Sequence, residues 1–302
     1  MILFKLKPMT KSGVHLLKRH NVFSAPEIIF LGAVFFLFSC SSSPKLPEVE
    51  ILDCVDLNSS FTVHIPVREN EEFVNYAFVN LTGADSSSVE KIIKKTDRIA
   101  ICSSGSGFEG GACVSFPSVF LSSAFTEKNG WKTLKSQNTA FEHKIYSSTE
   151  NNLQISHPAP KDLFFGTNIE PLLKRYETNA FKKDSVSVED FKFYDFLMDV
   201  SDGNIRFCAP EPKSFISRYF GKSLNPGITS VKGILKKSKS KNLFALEMEL
   251  EFQSKSSIKA ATQMIKLALF PVPAKIQISG SNTIVITDIS LSYRQLLEFM
   301  GK

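Results

Sequence analysis

Residues 244–253 read FALEMELEFQ, and their side chains alternate between apolar and polar over the whole stretch. A period of two residues is that of a β-strand with one face on a core and the other in water. The polar face is acidic, whereas residues 232–241 on the N-terminal side are rich in lysine. The two segments therefore predict an antiparallel hairpin in which lysine and glutamate side chains pair across the strands.

The segments around this hairpin repeat one order of elements. Apolar spacing predicts a helix over 256–270 and a closing hairpin over 274–290, and a similar order of strands and helices occupies residues 50–180. Each half reads as β-α-β-β-α-β with an extra strand. We therefore predict an α+β protein of two similar ferredoxin-like halves, with mostly antiparallel sheets and helices on one face.

Matched capping boxes support this duplication. Thr167 with Glu170 precedes PLLKRY, and Ser292 with Gln295 precedes LLEFM. The first domain is predicted at 50–180, and residues 181–302 hold a linker, a connecting helix and the second domain. The polar, lysine-rich segment 178–189 is the predicted linker.

The first 39 residues are predicted to be a lipoprotein signal peptide. Basic residues precede the apolar run IIFLGAVFFLF at 28–38, which at 11 residues is too short to span a membrane. The tetrapeptide LFSC at 37–40 resembles a bacterial lipobox, which implies that Cys40 is acylated and becomes the new N-terminus. Residues 40–49 then form a polar tether to a membrane.

Composition and charge limit the classes of partner that the chain is expected to bind. The 302 residues are 43% hydrophobic and 22% charged, which is an ordinary globular composition. Of the formal net charge of +6, a net +4 belongs to residues 1–39, so the remaining 31 basic and 29 acidic side chains leave only +2. No nucleic acid partner is predicted for a chain with so little excess charge.

Four cysteines follow Cys40, and an exported compartment permits disulfides. Cys102 and Cys113 lie on the two arms of a candidate hairpin and are predicted to pair, with Cys54 and Cys208 as the complementary pair.

No cofactor, metal or catalytic residue is predicted. Residues 105–110 read GSGFEG, but a strand pattern follows them where a dinucleotide site needs a helix, so they are interpreted as a hairpin turn. His64, His143 and His157 lack metal-ligand spacing, and the sequence contains no GxSxG serine motif.

Several aromatic motifs carry a family resemblance. The segments are FPSVFLSSAFTEKNGWK at 116–132, LQISHPAPKDLFF at 153–165, FYDFLM at 193–198 and ITDISLSYRQLLEF at 286–299. Together with the lipobox, they resemble uncharacterised treponeme-type lipoproteins of spirochaetes over most of residues 50–300. The resemblance implies no activity or site residue.

The functional prediction is a lipid-anchored lipoprotein of the cell envelope, held through Cys40 at the outer membrane. It would act as a non-enzymatic binding or structural component with an envelope protein or a lipid as its partner. Two alternatives remain open: a carrier of an apolar ligand such as lipid, and an envelope hydrolase of unrecognised type.

Overall fold

A computed structural model describes residues 49–82, 86–104, 107–181, 191–212, 227–238, 240, 242–269 and 272–301. The predicted signal peptide, Cys40 and the tether up to residue 48 lie outside the described residues. Leu46–Lys302 form one compact unit.

The described residues form twelve strands and eight α-helices. The strands are β1 Phe61–Pro66, β2 Thr96–Ser104, β3 Gly107–Val114, β4 Trp131–Lys135, β5 Lys144–Ser148, β6 Gln154–Ala159, β7 Asp162–Gly166, β8 Ile205–Ala209, β9 Ile228–Lys237, β10 Leu243–Phe252, β11 Lys275–Ser279 and β12 Thr283–Ser292. The helices are α1 Ile51–Cys54, α2 Glu71–Thr82, α3 Ser86–Ile93, α4 Ser118–Ala124, α5 Glu170–Phe181, α6 Tyr194–Met198, α7 Lys255–Leu269 and α8 Tyr293–Gly301. Two short 3-10 turns lie at Arg68–Asn70 and Glu127–Asn129.

All twelve strands belong to one antiparallel sheet. Their order is β11-β12-β10-β9-β8-β1-β2-β3-β7-β6-β5-β4, so the two predicted halves occupy the two ends of the sheet. They meet where β1 pairs with β8, with Val63 opposite Phe207. The ferredoxin-like duplication is therefore not confirmed, since one continuous sheet takes the place of two.

The two faces of the sheet carry separate cores. Helices α2, α3, α4, α7 and α8 cover one face, here called the α2 face, and helices α1, α5 and α6 cover part of the other, the α5 face. Strand alternation separates the cores: in β2, Ile99 and Ile101 contact the α2-face core, whereas Ala100 and Cys102 belong to the α5-face core. The prediction of helices on one face is thus wrong for the sheet as a whole.

Strand β10 has the apolar face and the polar face that its sequence predicts. Its apolar residues Phe244, Leu246, Leu250 and Phe252 are buried on the α2 face. The lysine and glutamate side chains pair on the opposite face, with Lys232 Nζ 2.8 Å from a Glu249 carboxylate oxygen. These charged side chains therefore lie on the part of the sheet that no described helix covers.

The predicted boundary between residues 180 and 181 falls inside the compact unit. Residues 178–181 of the predicted linker form the last turn of α5. The rest of that linker, up to residue 189, lies outside the described residues.

Candidate functional site

The first described helix lies directly after the predicted tether and is docked on the sheet. Helix α1 and the turn after it bury their apolar side chains in the α5-face core. These are Ile51, Leu52, Cys54, Val55 and Leu57. A four-residue helix is too short to be stable alone, so packing holds it in place. The helix that follows the predicted tether is therefore held in one position on the sheet.

Arg175 of α5 holds the end of α1 in place through hydrogen bonds. Its Nε donates a hydrogen bond to the carbonyl oxygen of Cys54 over 2.6 Å, and its Nη2 lies 2.5 Å from Glu109 Oε1. The same Glu109 oxygen accepts the backbone N–H of Asp56 over 2.6 Å. One guanidinium thus joins helix α1, strand β3 and helix α5.

A second set of polar contacts lies one helical turn further along α5. Asn179 Nδ2 donates to the carbonyl oxygen of Asp53 over 2.7 Å, and the Tyr194 hydroxyl donates to the Asp53 carboxylate over 2.6 Å. Burial raises the pKa of Asp53, and burial together with the Asp53 hydrogen bond raises the pKa of Tyr194. The hydrogen-bonded side chains that join α1 to α6 are therefore partly shielded from water.

Helix α5 ends on an exposed aromatic pair. Phe181 is 48% exposed and Phe141 37% exposed, and their rings stack with centroids 4.8 Å apart. Phe181 lies two residues beyond Asn179, which holds α1. The pair is thus at the end of the sheet's α5 face where helix α1 is held.

Glu177 fixes the loop that carries Phe141. Its carboxylate accepts the backbone N–H groups of Ala140 and Phe141 over 2.7 and 2.8 Å, and one oxygen lies 2.8 Å from His143 Nε2. Both side chains of the Glu177–His143 contact are only 6% exposed. Glu170, two turns earlier, accepts the Gln137 N–H in the same loop. The loop is therefore clamped on α5.

The α2-face core is nearly closed. An apolar gap of about 30 Å³ lies between the sheet and helices α2 and α8, lined by residues such as Phe73, Phe207 and Leu296. Small-molecule pockets typically measure about 300–1,000 Å³. A gap of this size cannot hold an acyl chain.

The four predicted disulfide residues are free thiols. Cys102 lies opposite Glu109 and Cys113 lies opposite Arg98, so the two are four positions apart on the β2–β3 ladder, or about 13 Å. That separation exceeds the roughly 7 Å that a bridge tolerates between Cα atoms, so the Cys102–Cys113 pairing is wrong for this register. Cys54 and Cys208 share the α5-face core, and their pairing stays a prediction.

The three histidines among the described residues are held by separate structural contacts. His64 is buried, its Nδ1 lies 2.8 Å from the Leu197 carbonyl oxygen, and desolvation lowers its pKa to about 4. His157 stacks on Phe116 with ring centroids 5.9 Å apart. Among the described residues, no group of three or more His, Cys, Asp or Glu side chains could hold a metal ion.

Within the same described part of the chain, no helix is long and apolar enough to cross a bilayer. The predicted lipidation site, Cys40, lies outside it.

Sequence reasoning missed Arg175, Glu177 and Asn179. The helix signal in PLLKRYETNAF was clear, but the partners of these side chains lie 34 to 126 residues away along the chain. One signal was present: polar residues at 175 and 179 are spaced by four and share a helix face with each other.

Comparisons with known proteins agree with the spirochaete resemblance. The family model described as outer membrane-associated lipoprotein TP0453 matches residues 47–297. Crystal form III of TP0453 superposes with a TM-score of 0.63 at 16% identity, covering 84% of this chain and 98% of that one. Crystal form IV gives a TM-score of 0.61 at 15% identity, with the same two coverages. No curated protein sequence matches the chain.

Proposed function

Because the chain belongs to the family of the outer membrane-associated lipoprotein TP0453, we propose that it is a non-enzymatic component of the envelope, tethered through acylated Cys40. Several acyl chains on one cysteine exceed the two-signal threshold for stable anchoring. The folded unit then acts through its surface, as a binding or structural element at the membrane.

The observation that supports this proposal is that helix α1 packs against the sheet directly after the predicted tether. The predicted tether, residues 40–49, has ten residues, so nine steps of about 3.3–3.6 Å at most separate Cys40 from the first described residue, Val49. The fold therefore begins within about 30 Å of the lipid, a distance close to the thickness of a bilayer's hydrocarbon core.

The Phe141–Phe181 pair supports an orientation for the tethered unit. Exposed aromatic side chains favour the boundary between headgroups and acyl chains, where an apolar ring loses contact with water. The pair lies at the end of α5 whose Asn179 holds α1. We propose that this end of the α5 face rests on the bilayer that holds Cys40.

The carrier alternative is less well supported. A bound lipid needs a cavity of several hundred Å³, whereas the apolar gap against Phe73 and Leu296 measures about 30 Å³. A closed core with an exposed aromatic pair favours a surface-binding component. The hydrolase alternative has no supporting cluster among the described histidines.

The first experiment tests the anchor. Replacing Cys40 by Ser should abolish acylation and move the protein from the membrane pellet to the soluble fraction. A Ser41→Ala variant, which keeps the cysteine, should stay in the pellet. Acyl labelling of the Cys40→Ser variant would contradict the lipoprotein proposal.

A second experiment tests the orientation. Trp131 is the only tryptophan, so Phe181→Trp and Phe120→Trp can each be made in a Trp131→Phe background. Phe120 is 44% exposed on α4, on the other side of the sheet, and is the matched control. In liposomes with brominated lipids, fluorescence from position 181 should be quenched more than fluorescence from position 120. Equal quenching at both positions, or none, would contradict the orientation.

A further inference from the structure

Strand β11 forms one of the two edges of the sheet. It pairs with β12 on one side, and no strand of the described residues pairs with its other side. The outer side of an edge strand presents backbone N–H and C=O groups that can pair with another chain. Four of the five residues from Lys275 to Ser279 are exposed, so this edge is open within the described part of the chain.

The β11 edge also exposes a large apolar side chain. Ile278 is 55% exposed, although it lies opposite the buried Ile284 of β12. Ile276, on the same face of β11, packs against the α2-face core and lies opposite Ile286. Two rows of isoleucine therefore run across β12 and β11 and end at the edge, with apolar surface in contact with water.

The other edge of the sheet, β4, has the features of an edge that is protected from pairing. Natural proteins commonly place lysine on edge strands to prevent association. Two of the five residues of β4 are lysines, Lys132 and Lys135. Strand β11 has one lysine, at its first residue, and its other four residues are uncharged. The β11 edge is therefore the better candidate for an interaction surface.

The side chains of β11 complement those of a second copy of the same strand. In an antiparallel pair with Gln277 opposite the partner copy's Gln277, Ile276 of each copy lies opposite Ile278 of the other. Lys275 then lies opposite Ser279, so no like charges are opposed. The two glutamine amides can each donate and accept a hydrogen bond. A shift of one residue would instead bring isoleucine to the face that carries glutamine.

The symmetry of this pairing agrees with two chains on one membrane. A two-fold axis that relates antiparallel strands of one sheet is perpendicular to that sheet, so both α5 faces of the dimer point in the same direction. A dimer of this kind is also closed. Pairing of β11 with β4 of another copy would leave a free edge at each end and continue into a filament.

We propose that two copies of the chain associate through their β11 strands into an antiparallel dimer with Gln277 on the two-fold axis. Five residues per copy are fewer than the roughly 20–30 residues on each side of a stable interface. Tethering in one bilayer compensates by raising the effective concentration of the two copies. This contribution of the bilayer rests on the lipid anchor proposed above.

Disulfide cross-linking tests the proposal on the full acylated protein in liposomes. Cys113, the half-buried thiol, is replaced by Ser in every variant. Residues directly opposite in an antiparallel pair have Cα atoms about 4.5–5.5 Å apart, which a disulfide can bridge. Gln277→Cys should therefore give a covalent dimer on mild oxidation. Lys275→Cys should give at least about tenfold less, because its two copies would lie about 13 Å apart.

Two further measurements test the register and the apolar contact. A mixture of the Lys275→Cys and Ser279→Cys proteins should form a cross-link that neither protein forms alone. Adding Ile278→Lys to Gln277→Cys should lower the yield of dimer at least about fivefold, because it places a charge opposite Ile276 of the partner copy. Leu134→Lys, which changes an exposed apolar residue of the β4 edge, is the matched control and should leave the yield unchanged.

Three results would overturn the proposal: no excess of dimer with Gln277→Cys over Lys275→Cys, an unchanged yield with Ile278→Lys, or stronger cross-linking through Thr133→Cys on the β4 edge. The same oxidation of Cys40→Ser protein at high concentration in solution separates this proposal from the anchor. Cross-linking through Gln277→Cys there would support the strand pairing even if the protein in liposomes showed that Cys40 is not the anchor.

Discussion

Arg175 Nε donates a hydrogen bond to the carbonyl oxygen of Cys54 over 2.6 Å, across 121 residues of sequence. The same guanidinium pairs with Glu109 at 2.5 Å. It therefore joins helix α1, at Cys54, to strand β3, at Glu109.

Removing this guanidinium should loosen α1. Arg175→Ala removes the side-chain donor to the Cys54 carbonyl and leaves the Glu109 carboxylate with the Asp56 N–H but without its guanidinium partner. Hydrogen bonds to charged groups are worth about 1.5–3 kcal/mol, so a loss of about 2 kcal/mol in the free energy of unfolding is expected. Urea denaturation of the wild type and the variant measures this difference in the free energy of unfolding.

Lys135→Ala is the control for this prediction. Lys135 pairs with Glu142 at 2.9 Å, but their side chains are 71% and 63% exposed, so the variant should lose less than about 0.5 kcal/mol. Equal losses in the two variants would show that Arg175 does not anchor α1.

The buried His64 should make stability depend on pH. Desolvation lowers its folded-state pKa from 6.5 to about 4, so between those values the unfolded chain binds a proton that the native protein does not. Its contribution to stability is complete above pH 6.5 and is lost as the pH falls toward 4. At 1.36 kcal/mol per unit the loss is about 3 kcal/mol.

Urea denaturation between pH 4 and 7.5 checks this prediction as a difference between wild type and His64→Gln. The variant should show a shallower fall in stability toward acid, because it lacks the group that gains a proton on unfolding. Parallel curves for the two proteins would mean that His64 is protonated in both states or in neither.

The four thiols after Cys40 should differ in reactivity. Desolvation raises the pKa of Cys54 and Cys102, and that of Cys208 to about 12, and all three are buried. Cys113 is only half-buried, so maleimide should label it first in the native protein.

The same labelling, repeated in denaturant without reductant, counts the thiols and tests the predicted disulfides. Four labelled cysteines per chain would match the structure. Two labelled cysteines, with Cys54 and Cys208 protected, would instead support the bridge between them.

Cleavage between the two halves should leave them associated. Trypsin is expected to cut after Lys182 or Lys183, in the predicted linker. The fragments should still elute together in gel filtration because β1 and β8 pair and share the α2-face core. They should separate on a denaturing gel. Separate elution under native conditions would contradict the continuous sheet.

Local patterns in the sequence determined the elements that depend on near neighbours. The alternation at 244–252 predicts β10 because the strand period is set by the backbone itself. The capping box before α8 is confirmed: the Gln295 N–H donates to Ser292 Oγ, and Gln295 Oε1 accepts the Ser292 N–H over 2.8 Å. Strands β2 and β3 pair as a hairpin with Ser104 opposite Gly107, but residues 107–110 of GSGFEG belong to β3 and not to the turn.

The other predicted capping box does not form, because a distant segment of the chain binds the side chain that would complete it. The predicted box of Thr167 and Glu170 does not form, because Asn168 accepts the Glu170 N–H and the Glu170 carboxylate turns to the loop at Gln137. A two-residue turn at 241–242 would place Lys232 opposite Glu251, whereas Lys232 lies opposite Glu249 and the Ser238 N–H donates to the Leu243 carbonyl.

Only the tertiary structure decided how these elements join. The pairing of β1 with β8 merges two predicted halves into one sheet, and no local pattern specifies a contact between Val63 and Phe207, 144 residues apart. The sequence by itself determined the strand and helix periods, because each depends on residues close along the chain. The sheet order and the contacts of Arg175 and Glu177 depend on long-range packing, which the backbone period does not encode.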